Sequence, residues 1–373
     1  MKKRNLRKSN SAETTPLDAA WLRTFRRRLL NWYTRHARDL PWRRSRDVYR
    51  VWVSEIMLQQ TQVATVEAYF KRFVATLPTI ADLAAADEQE VLRLWEGLGY
   101  YRRARQLHRA AREIVELHHG QFPRDIDSVR RLPGIGRYTA GAVLSIAFDQ
   151  RAPILEANTM RLFARLLGYR DDPKTTAGQR VLWDAAVRLL PRSNVGRFNQ
   201  ALMEVGSLVC TPKVPNCEAC PVAMLCTARA DGAQTNIPPP KPRQRLEAVR
   251  EACVVVRRRD RVLVRRRTSD ERWAGLWDFP RFEIDAANGT ALRRMLTSAV
   301  ANIAGVQIQP GPRLATIKHG VTRFRITLEC FEAEYVDAVS GGQNGDMKWL
   351  RPAELSDYPL STTGRKIANL LVS

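Results

Sequence analysis

The sequence predicts a multidomain protein in which an all-α region is followed by a smaller α+β domain. Three observations carry that division. From about Leu17 to Arg229 apolar residues recur at spacings of three and four, as in "DEQEVLRLWEGL" and "GQRVLWDAAVRLL", with breaks at Leu77-Pro78, Phe122-Pro123 and Leu132-Pro133-Gly134. "TNIPPPKPRQR" (Thr235 to Arg245) is too rich in proline to continue a helix and reads as an extended linker. Beyond it, short β-branched runs, "ACVVV" at 252–256, "RVLV" at 261–264 and "FRITLEC" at 324–330, surround one helical stretch, "ALRRMLTSAVANIAG". The expected layout is a basic disordered tail at 1–16, a helical domain at 17–230, a linker at 231–246 and the α+β domain at 247–373. No internal repeat at solenoid periods is present.

A chain of 373 residues with 45% hydrophobic content has enough apolar surface for the cores of two or three domains. No stretch approaches the roughly twenty uninterrupted apolar residues that span a bilayer, and "MKKRNLRKSN" has no apolar core behind its charges, so a soluble intracellular protein is expected. In a reducing compartment, closely spaced cysteines serve more readily as metal ligands or redox groups than as bridges. A net charge of +23 favours a polyanionic partner, most simply nucleic acid. The arginine clusters at 26–28, 43–46, 102–105 and 257–267 are real but spread out, and Arg and Ala richness from a GC-rich genome is the alternative explanation of the charge.

Four of the six cysteines fall in "CTPKVPNCEACPVAMLC", Cys210 to Cys226, at intervals of six, two and five residues. Ribbon-type zinc sites pair two short Cys-x-x-Cys knuckles, and only Cys217 and Cys220 form one here. Four thiolates on one loop stiffened by Pro212, Pro215 and Pro221 suit a cubane cluster, one thiolate per iron, with zinc or free buried thiols as alternatives. Cys253 and Cys330 lie on strand-like runs and read as core residues. The interval pattern resembles the 4Fe-4S loop of the endonuclease III superfamily of DNA glycosylases. That resemblance implies Cys210, Cys217, Cys220 and Cys226 as cluster ligands, with Lys213 approaching the DNA backbone.

"LPGIGRYTAGAVLS" (Leu132 to Ser145) places Gly134 and Gly136 in a tight turn before a helix whose first N–H groups have no helical partner, a natural phosphate site. It is similar to the helix-hairpin-helix clamp on the DNA backbone. Bifunctional members of that superfamily carry, just downstream, a lysine that attacks the sugar. Tyr138 stands at that position, and a phenol cannot form a Schiff base, so the resemblance implies a monofunctional glycosylase with little strand-cleaving activity. On its own Tyr138 reads as a packing residue.

"VWVSEIMLQQTQV" (Val51 to Val63) is helical in period until the amides begin at Gln59. Periodicity alone makes Glu55 a surface carboxylate. Its neighbours Trp52, Val53, Ile56 and Met57 are apolar, however, and such surroundings raise a carboxyl pKa as a general acid requires. Uncharged amides both donate and accept, which suits reading base edges or filling a hole in a duplex. "LPWRRSRDVYRVWVSEIMLQQTQVATV" and "LWEGLGYYRRARQLHRAA" together resemble the MutY family of adenine DNA glycosylases, from about Trp32 to Arg229 and more faintly beyond.

The resemblance implies that Glu55 protonates a flipped adenine, that Gln60, flanked by Gln59 and Thr61, is inserted into the duplex, and that Leu98 and Tyr100 pack about the opposing 8-oxoguanine. It implies a carboxylate to stabilise the oxocarbenium-like sugar, where the family has an aspartate followed by Gly-Asn and this chain has Glu156, Ala157 and Asn158. One extra methylene keeps the charge and shifts it by about a bond length, a misplacement that can cost roughly a hundredfold in rate. Asn158 is expected to orient Glu156, and an ion pair with a nearby arginine is the structural alternative.

Residues 247–373 look like the Nudix-like domain of the same family, most clearly at "WAGLWDFP" (Trp273 to Pro280). A working Nudix hydrolase holds magnesium with glutamates on its helix. "ALRRMLTSAVANIAG" has none, so the domain is expected to bind and not hydrolyse. Val321, Thr322 and Arg323 align with the family's lesion-reading Phe-Ser-His, which implies a hydroxyl contact from Thr322 to 8-oxoguanine and a phosphate contact from Arg323. The whole chain is therefore expected to be a monomeric, nucleoid-associated, bacterial base-excision enzyme. It would hydrolyse the N-glycosidic bond of adenine mispaired with 8-oxoguanine or guanine in double-stranded DNA, with a 4Fe-4S cluster as cofactor. Two readings compete: the same scaffold with another mismatch preference, such as thymine opposite guanine, and a non-catalytic DNA-binding iron-sulfur protein.

Overall fold

Most helices begin where the sequence supplies a cap. The computed structural model describes residues 17–240, 246–285, 289–321, 323–339 and 346–372; the expected basic tail and Thr322 lie outside them. Asp18 accepts from the backbone N–H of Trp21 and opens α1 (Ala19–His36), and Asp47 accepts from Arg50 to open α2 (Val48–Leu58), just after a 3-10 turn at Pro41–Arg43. Then follow α3 (Val63–Thr76), α4 (Ile80–Ala85), α5 (Glu88–Leu94), α6 (Arg102–His118), α7 (Ile126–Arg131), α8 (Arg137–Phe148), α9 (Ala157–Leu167), α10 (Thr176–Leu189), α11 (Val195–Leu208) and α12 (Thr227–Ala230). None of the described helices is long and apolar enough to cross a membrane.

Packing divides the described residues into two units that do not follow the proline-rich linker. One runs to Gln60 and resumes from Glu113 to the linker; the other joins Thr61–Arg112 to everything after it. In the first unit α8 is packed between α2 and α11, and Phe25 and Leu29 of α1, Phe163 of α9, Leu182 of α10 and Phe198 of α11 share one core. Arg26 of α1 donates to the carbonyls of Arg188, Leu189 and Leu190, satisfying the C-terminal end of α10.

The second unit explains why α5 leaves the helical region. Gln89 donates to the Gly275 carbonyl at 3.1 Å and accepts from Trp277 Nε1 at 2.8 Å, while Glu96 takes two bonds from Arg365 at 2.7 and 3.0 Å. These bonds hold the helical segment on a sheet made of β1 (Glu247–Arg258), β2 (Arg261–Arg266), β3 (Trp277–Asp278), β4 (Arg281–Glu283), β5 (Val306–Val321), β6 (Phe324–Ala338) and β7 (Met347–Leu350). The order is β3-β2-β1-β6-β5, with β4 also on β1 and β7 also on β2, and β1 runs parallel to β6. α13 (Gly289–Ala304) covers one face over Ala252, Val254 and Val256, and α14 (Thr362–Val372) covers the other over Cys253 and Val255. Burial on both faces is why "ACVVV" is continuously apolar. Cys253 and Cys330 are fully buried register partners within that core.

Candidate active site

α2 is buried along nearly its whole length, from Tyr49 to Met57, and this places a carboxylic acid where water is scarce. Glu55 is 5% exposed, and burial pushes its pKa up to about 7, against the opposing pull of the Tyr138 hydroxyl and the Arg43 guanidinium. Tyr138, at the second position of α8, donates to Glu55 Oε2 at 2.7 Å and lies 3.3 Å from the Met203 sulfur of α11. Burial, with Glu55 beside it, drives the Tyr138 phenol well above its usual range, so the ring stays a neutral donor.

Glu156 is close enough to raise Glu55 further, and it is the N-cap of α9. Its Oε1 accepts from the Thr159 N–H at 2.8 Å and its Oε2 from the Asn158 N–H at 2.8 Å and Asn158 Nδ2 at 3.2 Å, while Thr159 Oγ1 returns a bond from the Glu156 N–H. The carboxylate is thus curled onto its own helix end. Burial raises its pKa from the ordinary value; the Asn158 and Thr159 donors and the Arg161 charge pull the other way.

Arg161 ties this end of α9 to the cysteine loop, donating to Asn158 Oδ1 at 3.0 Å, the Gly206 carbonyl at 2.6 Å and the Cys210 carbonyl at 2.7 Å. Arg165 continues inward, to Cys210 Sγ at 3.2 Å and to the carbonyls of Thr211 and Pro212. Cys210, Cys217, Cys220 and Cys226 line one pocket. Burial, with the neighbouring thiols, pushes Cys220 up to about 12. Lys213 is exposed on the same loop.

The hairpin before α8 treats its glycines differently. Gly134 has φ +78°, which a side chain would resist, whereas Gly136 has an ordinary φ and a Cβ there would enter open space. Gly136 caps α8 without a side-chain bond, so the first N–H groups of α8 have no cap from it. At the end of α2, Gln59 Nε2 is tied to Thr139 Oγ1 at 3.2 Å, while the exposed Gln60 is held at φ +59°. A left-handed non-glycine residue costs about 1–3 kcal/mol and marks a place over-determined by its surroundings.

In the second unit Tyr100 is also left-handed, at φ +49°, and 49% exposed, with Leu98 buried behind it. Arg103 holds this loop through Thr61 Oγ1 at 3.1 Å and the Gly99 carbonyl at 3.3 Å, and lies over the Tyr100 ring. Tyr100, Arg102, Arg105, Arg272, Trp273 and His319 line a cavity of about 600 Å³. Arg323 is exposed and pairs with Glu247 at 3.3 Å.

Sequence reasoning missed one group altogether. Glu204 of α11 is completely buried and binds Arg38 and Arg43; a lone acid in the apolar stretch "FNQALMEVGSL" was the available signal.

Residues 53–186 match the model of the HhH-GPD superfamily base excision DNA repair proteins, and residues 251–370 match the NUDIX domain. An adenine DNA glycosylase of Mus musculus is 33% identical over 94% of this chain and 78% of its own length. The chain belongs to the adenine DNA glycosylase family. An adenine DNA glycosylase of Rattus norvegicus is 48% identical, over 57% of this chain, and the match spans 43% of the rat protein. Among solved structures, a thermostable thymine-DNA glycosylase superimposes with a TM-score of 0.53 at 29% identity, covering 57% of this chain and all of that one.

Proposed function

We propose that the protein removes adenine mispaired with 8-oxoguanine or guanine in duplex DNA by hydrolysis, leaving the strand intact. One observation carries the reading: a carboxyl enclosed in an apolar helix, poised at about 7 and hydrogen-bonded to a neutral phenol where strand-cleaving enzymes need an amine. Glu55 delivers its proton to the extruded adenine, the C1′–N9 bond breaks with its electrons going to the base, and the sugar becomes oxocarbenium-like. Glu156, oriented by Asn158, supplies negative charge beside that cation, and water adds to C1′ as the nucleophile. Protonation on the ring is a purine's route to departure, which favours adenine over thymine.

In the same reading the α8 N–H groups beyond Gly134 and Gly136 hold a phosphate, Gln60 with Gln59 and Thr61 fills the space left by the base, and Leu98 and Tyr100 serve the opposing 8-oxoguanine. Arg323 and Thr322 serve the lesion strand from the Nudix-like domain. The cysteine loop fits a 4Fe-4S cluster, because its four thiols line one pocket. Cys210, Cys217, Cys220 and Cys226 would bind it, and bound there it would cross-link the loop between the end of α11 and the start of α12. The protein would act as a monomer.

Single-turnover assays with excess enzyme on A:8-oxoguanine duplex test the reading. Free adenine should appear, with strand breaks only after alkali, and a panel of mispairs should rank A:8-oxoguanine first. Release of thymine from T:G in preference, or tight salt-sensitive binding without base release, would overturn it.

A further inference from the structure

Glu204 offers no lone pair to any substrate. Its two oxygens accept from the Arg38 N–H at 3.0 Å, Arg38 Nε and Nη2 at 2.8 Å each, and Arg43 Nη2 at 2.8 Å. Burial pushes this carboxyl up, but the bonds from Arg38 and Arg43 overcome it and hold it at about 2, so it is ionised throughout the working range. Arg43 lies over the Tyr33 ring, whose hydroxyl is fixed by Gln200 on α11 at 2.9 Å, and its other terminal nitrogen, Nη1, is buried with no hydrogen-bond partner. A buried guanidinium N–H left unsatisfied is costly and calls for a reason.

The groups acting on Glu55 come from three elements, Tyr138 from α8, Arg43 from the 3-10 turn and Glu156 at the head of α9; on α11, Met203 meets the Tyr138 hydroxyl and Glu204 binds Arg43. Arg43 is the sole cation among them and acts on Glu55 in the direction that favours the carboxylate. Glu204 restrains it twice. It anchors one Nη so that the guanidinium cannot swing to pair with Glu55, and it supplies the counter-charge to Arg43.

We propose that Glu204 is a positioning residue for the acid, setting the orientation and net charge of the Arg38–Arg43 pair so that Glu55 keeps its proton near neutral pH. The inference rests on the proposed role of Glu55. Removing the charge by Glu204→Gln would leave the Arg43 cation facing the acid without its counter-charge, and a unit charge several ångströms away in a medium of effective dielectric near 20 moves a carboxyl by on the order of one pH unit.

The test is the pH profile, roughly pH 5 to 9, of single-turnover adenine release from A:8-oxoguanine duplex by the full-length protein. Glu204→Gln should move the alkaline limb down by about one unit, Glu204→Asp should leave the limb in place even where the rate falls, and Glu204→Gln with Arg43→Gln should move it back up. A uniform loss of rate in Glu204→Gln with the limb unmoved would overturn the proposal, as would an equal shift in Glu204→Asp. Should Glu204→Gln fail to fold, Arg43→Gln alone decides: the limb rises, or the proposal falls. Absence of adenine release by the wild type would defeat the underlying function instead, so the two failures are distinguishable.

Discussion

A catalytic acid kept protonated near neutrality should destabilise the fold as pH rises, and Glu55 allows the size of that effect to be worked out. Its pKa is raised from 4.5 to about 7. Between those values the folded protein holds a proton that the unfolded chain releases, so stability from this group is full below pH 4.5 and is lost as pH rises through 7. At 1.36 kcal/mol per unit the loss is about 3 kcal/mol. Glu55→Gln removes the titration while keeping the shape and the contact with Tyr138. Melting curves of both proteins from pH 5 to 8 should therefore diverge, the variant gaining on the wild type by up to several degrees at pH 8, at roughly 2–4 °C per kcal/mol. Any fixed cost of burying an amide cancels in the pH dependence. Adenine release by the variant should meanwhile fall by about 10²–10⁴ at every pH. A melting difference independent of pH would refute the raised pKa, and unchanged release would refute the role.

Three further outcomes are expected. Glu156→Asp retains a side chain able to cap α9 and moves the charge back by one methylene; single-turnover adenine release should rise by roughly ten- to a hundredfold, and an unchanged rate would mean the longer arm is equally well placed. Arg161→Gln leaves Asn158 Oδ1 and the Gly206 and Cys210 carbonyls without their donor; a loss on the order of 3 kcal/mol should appear in thermal melting, together with slower release as Glu156 loses its orientation. Tyr100→Ala alters an exposed left-handed side chain, so melting should barely move while the preference for A:8-oxoguanine over A:G declines, measured as the ratio of release rates on the two duplexes.

Glu55 was legible in the sequence because its surroundings are local: a helix apolar on every side leaves a carboxyl nowhere to hydrate. The strand at Ala252, Cys253, Val254 and Val255 was legible as a short β-branched, apolar run, but its cover on both faces was not. Glu204 was not, since its meaning depends on two arginines about 160 residues earlier in the chain. Nor was the allocation of Thr61–Arg112 to the C-terminal unit, which follows from bonds such as Gln89 to Trp277 and Glu96 to Arg365 that leave no periodic trace. Glu156 shows the intermediate case. Reading it as a displaced family carboxylate overlooked the reciprocal cap with Thr159, although Glu-x-x-Thr before "MRLFARLL" carries that signal. Gly136 illustrates the converse: two glycines suggested a conformational demand at both, yet only Gly134 has the backbone angle that requires one.

The most direct measurement is adenine release from an A:8-oxoguanine duplex with enzyme in excess, followed from pH 5 to 9. The account predicts base loss without strand cleavage, falling as pH rises through a midpoint near 7 and lowered by about 10²–10⁴ across the range by Glu55→Gln. Release that rises with pH, or that survives Glu55→Gln unchanged, would contradict it.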